Sequence, residues 1–206
     1  MHSITGIKEP KEKIRLYKAL RLGYTRDPER QKRGLKKYGY VFDPELSSRE
    51  RMVAYNPIQK KLLFVDNGTD PSNLEDIEAD IVLGTAGIKH TKRYEDDHKA
   101  LVKAQQKYHP TPNHTILAGH SLGGALINAL APKGSQAYTF DAAIGPRETR
   151  EDILHLRTKG DVVSALAPSE KIVTLKNNNF ALPITPITNT LKAHNLTNVA
   201  DQPVFF

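Results

Sequence analysis

The stretch Thr115-Ile116-Leu117-Ala118-Gly119-His120-Ser121-Leu122-Gly123-Gly124-Ala125-Leu126-Ile127-Asn128-Ala129-Leu130-Ala131 decides how this chain is read. Residues 115–118 form an apolar run with the character of a buried strand, and 125–131 carry apolar residues at helical spacing. Between them lies Gly-x-Ser-x-Gly, with Gly119 and Gly123 each two residues from Ser121. A strand that turns sharply into a helix brings the backbone too close for a Cβ at those two positions, and it lifts the intervening hydroxyl clear of the sheet. The turn also points the unpaired N–H groups of the new helix at that hydroxyl. A serine nucleophile and part of an oxyanion hole are predicted together. The competing reading makes Ser121 an ordinary helix cap at a glycine-rich turn. The pentapeptide alone does not separate the two, but its strand and helix flanks favour the nucleophile.

On the N-terminal side, residues 9–22 read as a helix with Ile14, Leu16, Tyr17 and Leu20 as its stripe and Gly23 as its stop. A second basic helix is expected over 28–37, opened by Asp27-Pro28. Residues 40–44 read as extended or turn. Strands are predicted at 51–55 and 61–65, joined through Asn56-Pro57. Helices follow from Asn73 to about Leu83 and from Tyr94 to Tyr108, the latter closed by His109-Pro110. Beyond the central stretch, short strands are expected at 136–140, 153–157 and 171–175, and the last thirty residues look loop-rich. Strands alternating with helices predict an α/β fold, a mainly parallel central sheet covered by helices. Residues 1–50 read as a basic helical N-terminal extension and 51–206 as the catalytic domain.

At 206 residues the chain suits one domain with a substantial core. The absence of cysteine excludes disulfides and thiolate metal sites. No signal-peptide pattern opens the chain, and no apolar run approaches the ~20 residues that cross a bilayer, so a cytoplasmic or membrane-peripheral location is expected. Residues 1–51 hold 14 Lys or Arg against 7 Asp or Glu and carry the whole net charge of +7, while 52–206 balance at 16 of each sign. Such a segment attracts anionic membranes, and peripheral contact through it is expected. No nucleic-acid-binding motif accompanies the charge, so specific nucleic-acid recognition is not expected. Asp96-Asp97-His98 reads as a solvated helix face rather than a metal site.

A serine hydroxyl needs a base, usually histidine, and in sites built on this turn the chain order is Ser, acid, His. After Ser121 only His155 and His194 remain. His155 lies within the strand 153–157 among apolar neighbours, as a core or edge histidine would. His194, in the loop-rich tail, is the predicted base. Asp161, just beyond that strand and next to Gly160, is favoured as the acid that orients the imidazole, with Asp141 at the end of 136–140 as its rival. His120 neighbours Ser121 but is expected to point away from its hydroxyl.

Gly119-His120-Ser121-Leu122-Gly123-Gly124-Ala125 resembles the nucleophile motif of the class 3 (fungal-type) lipases, an α/β-hydrolase family. Phe64-Val65-Asp66-Asn67-Gly68-Thr69 is similar to that family's Phe-Arg-Gly-Thr/Ser strand end, with Asn67 in place of Arg, and Asn73–Asp80 resembles its acidic continuation without the tryptophan. Gly160-Asp161-Val162-Val163-Ser164 and Ala193-His194-Asn195-Leu196 resemble its acid and histidine segments. The resemblance implies an α/β-hydrolase fold and a catalytic triad of Ser121, Asp161 and His194. It also implies an oxyanion hole formed by Leu122 and Thr69, with no metal or organic cofactor. The implied activity is hydrolysis of lipid carboxylic esters, of lipase, phospholipase A or lysophospholipase type. The alternatives are an inactive lipase-like scaffold that binds membranes or an anionic assembly, and an acyltransferase or thioesterase using the same triad. The compact chain is also similar to lipase-like proteins of large DNA viruses, which implies virion association.

Overall fold

In the computed structural model, Ile14 and residues 16–68, 85–145, 149–159, 164 and 172–175 are described. Their frame is a seven-stranded sheet in the order β1 to β7. The strands are β1 Val41–Phe42, β2 Arg51–Asn56, β3 Lys61–Asp66, β4 Thr115–His120, β5 Gln136–Phe140, β6 Leu154–Thr158 and β7 Ile172–Leu175. The first three pair antiparallel, and β3 through β7 are parallel. The hairpin between β2 and β3 turns on Asn56, whose side-chain oxygen accepts the N–H groups of Ile58 and Gln59.

Period-two alternation explains why the sheet is buried on both faces. Val53, Leu62, Phe64, Leu117 and Ala137 point to one side, where they meet Leu101 and Ala104 of α3 (Lys92–Tyr108) and Leu126 and Ile127 of α4 (Leu122–Leu130). Met52, Ala54, Leu63, Val65, Ile116 and Ala118 point to the other. That second face is covered from the basic N-terminal segment. There α1 (Leu16–Tyr24) and α2 (Pro28–Lys36) bury Ala19, Leu20 and Leu35 completely. Each large apolar side chain so buried stabilises the fold by about 1.5–3 kcal/mol.

Helix boundaries follow their caps. α1 runs one residue beyond the glycine expected to stop it. It ends where the Thr25 hydroxyl and amide both donate to the Leu22 carbonyl and where Gln31 of α2 donates to the carbonyls of Leu22 and Gly23. α2 opens on Asp27, which accepts from the N–H groups of Glu29 and Arg30. α3 closes at His109, as its His-Pro sequence predicts, and His109 takes the left-handed conformation. Strand register then sets the site: Asp66 at the end of β3 lies beside Gly119 of β4, and His120 beside Phe140 of β5. The loop after β3 therefore meets the β4–α4 turn at the carboxyl edge of the sheet, where parallel α/β sheets place their ligands.

Candidate active site

Ser121 sits between β4 and α4 with φ 57° and ψ −126°, a conformation that side-chain-bearing residues rarely hold and that the surrounding contacts must enforce. Its N–H donates to the Phe140 carbonyl at 3.0 Å, and its carbonyl accepts from Ala125 at 3.1 Å, so both ends of the turn are tied down. A Cβ on Gly119 would run into the carbonyl of Gly123, and one on Gly123 into the carbonyl of Asp66. These two close approaches are what the Gly-x-Ser-x-Gly spacing anticipates. The Ser121 side chain makes no capping hydrogen bond to α4, which removes the cap alternative. Leu122 is the first residue of α4, and its N–H lacks an acceptor within the helix. The turn thus sets a hydroxyl beside the first amide of the helix, and Ser121 is buried at 5% exposure.

Of the site residues expected from the sequence, Ser121 and Leu122 are brought together here, while Thr69, Asp161 and His194 lie outside the described residues. His155, read as a core or edge histidine, and Asp141, the rival acid, are both buried and hydrogen-bonded. His155 is 3% exposed, and its ring nitrogens meet the Thr139 hydroxyl at 2.7 Å and the Arg150 carbonyl at 3.0 Å. Burial pushes its pKa down, so it packs as a neutral core histidine. Asp141 is fully buried; its two carboxylate oxygens accept from the Thr158 N–H at 2.6 Å and the Thr158 hydroxyl at 2.9 Å, tying the end of β5 to the end of β6. His120 turns toward α1, where Nδ1 meets the Tyr24 hydroxyl at 2.8 Å and the ring stacks on Phe140.

Behind the loop after β3 lies a buried ion network that spacing did not reveal. Arg93 of α3 donates to the Asp66 carboxylate, to Asp97 at 2.8 Å, and to the carbonyls of Glu50 and Asn67, each at 3.1 Å. Arg51 of β2 binds the other oxygen of Asp97. The expected solvated face at 96–98 is therefore corrected: Asp96 and His98 are exposed, but Asp97 is 1% exposed and paired to two arginines. A helix face that meets a buried arginine on the sheet cannot be told from a wet one by charge pattern alone. Burial, reinforced by the Asp97 charge and opposed by Arg93, holds the Asp66 carboxyl well above the usual range. Burial works against the Arg93 charge, but Asp66 and Asp97 outweigh it and raise its pKa. Asn67 is fully buried with neither side-chain amide atom hydrogen-bonded. Among the described residues, no helix is long and apolar enough to cross a membrane.

Two solved structures are similar to this chain at low identity. The extracellular lipase LipA from Serratia marcescens matches with a TM-score of 0.58 and 13% sequence identity, over 85% of this chain and 40% of that one. This chain thus spans less than half of LipA. The Lip2 lipase from Yarrowia lipolytica matches with a TM-score of 0.47 and 15% identity, over 76% of this chain and 74% of that one. No family model and no curated protein matches the sequence. Identities this low speak to the fold alone. With a mixed seven-stranded sheet, helices on both faces and a serine on the strand-to-helix turn, that fold is α/β-hydrolase-like.

Proposed function

We propose that this protein is a serine hydrolase of lipid carboxylic esters, of lipase, phospholipase A or lysophospholipase type. The observation that carries this reading is Ser121: a serine held at φ 57° on the β4–α4 turn, with its hydroxyl unused as a cap. In the proposed mechanism His194, oriented by Asp161, removes the Ser121 proton as the hydroxyl attacks the ester carbonyl. The Leu122 N–H and Thr69 stabilise the tetrahedral oxyanion, each donor being worth about 3–4 kcal/mol. Collapse expels the alcohol, which takes its proton from the histidine. Water activated by the same histidine then releases the acid and frees the serine. The engagement of both His155 ring nitrogens, by Thr139 and by the Arg150 carbonyl, supports the choice of His194 as base. The lipid character of the substrate rests on the class 3 lipase resemblance.

The protein is further proposed to reach its substrate as a peripheral protein on anionic membranes, through the basic face of α1 and α2. A groove of about 300 Å³ between these helices is lined by Tyr17, Lys18, Arg21, Leu22, Lys37 and Tyr38. Its apolar floor and cationic rim match an anionic amphipath.

The test of the catalytic reading is labelling by a fluorophosphonate probe with adduct mass measured. The expected result is one adduct on the wild type, lost in Ser121→Ala, followed by turnover of a panel of glyceride and phospholipid esters. A folded wild type that takes no label favours the inactive scaffold. Labelling without ester turnover favours an acyltransferase or thioesterase.

A further inference from the structure

We infer that Tyr24, the last residue of α1, is a positioning residue for the oxyanion side of the Ser121 site. This inference rests on the hydrolase reading above. The Tyr24 hydroxyl accepts the Gly68 N–H at 2.6 Å and meets His120 Nδ1 at 2.8 Å. Its ring packs edge-on against the His120 imidazole, with centroids 5.6 Å apart. His120 stacks on Phe140, whose carbonyl in turn holds the Ser121 N–H. A methyl group on Gly68 would lie 2.7 Å from the Tyr24 oxygen and 2.9 Å from the Ser121 Cβ, so the loop passes closely between the hydroxyl and the serine.

The arrangement fixes one peptide plane. The carbonyl of Asn67 and the N–H of Gly68 belong to the same peptide unit. Arg93 of α3 holds the carbonyl, and Tyr24 of α1 holds the N–H. Helices from opposite faces of the sheet thus grip the Asn67–Gly68 unit, one peptide ahead of the bond that leads into Thr69, the proposed oxyanion donor. The Gly68 amide donates to the phenol oxygen, and the phenol, carrying its own proton, hydrogen-bonds His120 Nδ1 in whichever tautomer the imidazole holds. Burial pushes the Tyr24 pKa well above its ordinary value, only partly offset by the Gly68 hydrogen bond, so the phenol keeps this proton throughout the working pH range. The basic N-terminal segment therefore does two jobs: its outer face carries charge, and its inner end sets the geometry beside the nucleophile.

The test is Tyr24→Phe, which keeps the ring against His120 and removes only the hydroxyl. Three measurements are made: fluorophosphonate labelling rate, kcat and KM on a soluble short-chain p-nitrophenyl ester, and hydrogen exchange at the Gly68 amide by NMR. The expected result is a fall in labelling rate and kcat of roughly tenfold to a hundredfold, KM within about twofold, and faster Gly68 exchange. An active wild type with a Tyr24→Phe variant of equal kcat overturns the inference alone, whatever happens to thermal stability, because the hydroxyl would then be structural. A wild type inert to both probe and ester overturns the hydrolase reading and this inference with it.

Discussion

Replacing Arg93 with Met tests how the loop after β3 is held. The substitution leaves the aliphatic volume and removes a guanidinium that binds two carboxylates and two carbonyls. Asp66 is 0% and Asp97 1% exposed, so neither charge regains water when its partner goes. Breaking a buried pair by removing one member costs about 3–5 kcal/mol. The Arg93 side chain is itself 24% exposed, so solvent screens part of the interaction and the lower end, about 3 kcal/mol, is expected. For a chain of this size that lowers Tm by roughly 6–12 °C. The pH dependence has a definite sign. Burial already raises the Asp66 pKa and Arg93 opposes that shift, so the variant's Asp66 holds its proton to still higher pH than the unfolded chain does. A group that binds more protons when folded loses stability as pH rises, so the deficit is largest near neutrality and narrows toward pH 4. Urea unfolding at pH 7 and pH 4.5 measures this, together with the Arg93→Met/Asp66→Asn double variant, which recovers about 1–2 kcal/mol at pH 7. A single variant within 1 kcal/mol of wild type, or a double variant no more stable than the single, refutes the reasoning.

Asp43 is a second pH-sensitive carboxylate, with its pKa shifted the opposite way from that of Asp66. Burial disfavours its ionised form, but hydrogen bonds from the Tyr108 hydroxyl at 2.7 Å, from Lys107 at 2.9 Å and from the Leu46 N–H outweigh burial and lower its pKa. Its stabilisation is therefore complete above the unfolded value near 4 and lost as pH falls through the folded one. Asp43→Asn is expected to cost about 1–2 kcal/mol at pH 7 and much less at pH 3, read from urea midpoints. For the basic face, sedimentation with phosphatidylserine-containing vesicles is expected to capture the wild type at low salt, and neither 0.5 M salt nor the Arg21→Glu/Lys37→Glu variant is expected to leave capture intact. Equal capture by pure phosphatidylcholine vesicles removes the charge argument.

The local part of this protein was legible in its sequence. The β4–turn–α4 unit, the hairpin of β2 and β3, the cap at Asp27 and the end of α3 at His109 are encoded within a few residues, where side-chain periodicity and backbone sterics act. Short-range spacing even assigned His155 to the core, because a histidine inside an apolar strand must bury its ring. Asp161 and His194 are legible from chain order and placement and Thr69 only as a motif resemblance, and the roles of all three belong to the proposal. Tertiary structure alone decided the rest. Nothing in the spacing of Leu16–Tyr24 says that the helix lies on the sheet or that Tyr24 reaches Gly68, 44 residues on, and His120, 96 residues on. Nor does the pattern of α3 reveal that Arg93 and Asp97 face inward to meet Asp66 and Arg51. A charged residue reads as solvated until its buried partner is known, and that partner comes from a distant strand that only chain packing brings within hydrogen-bonding distance.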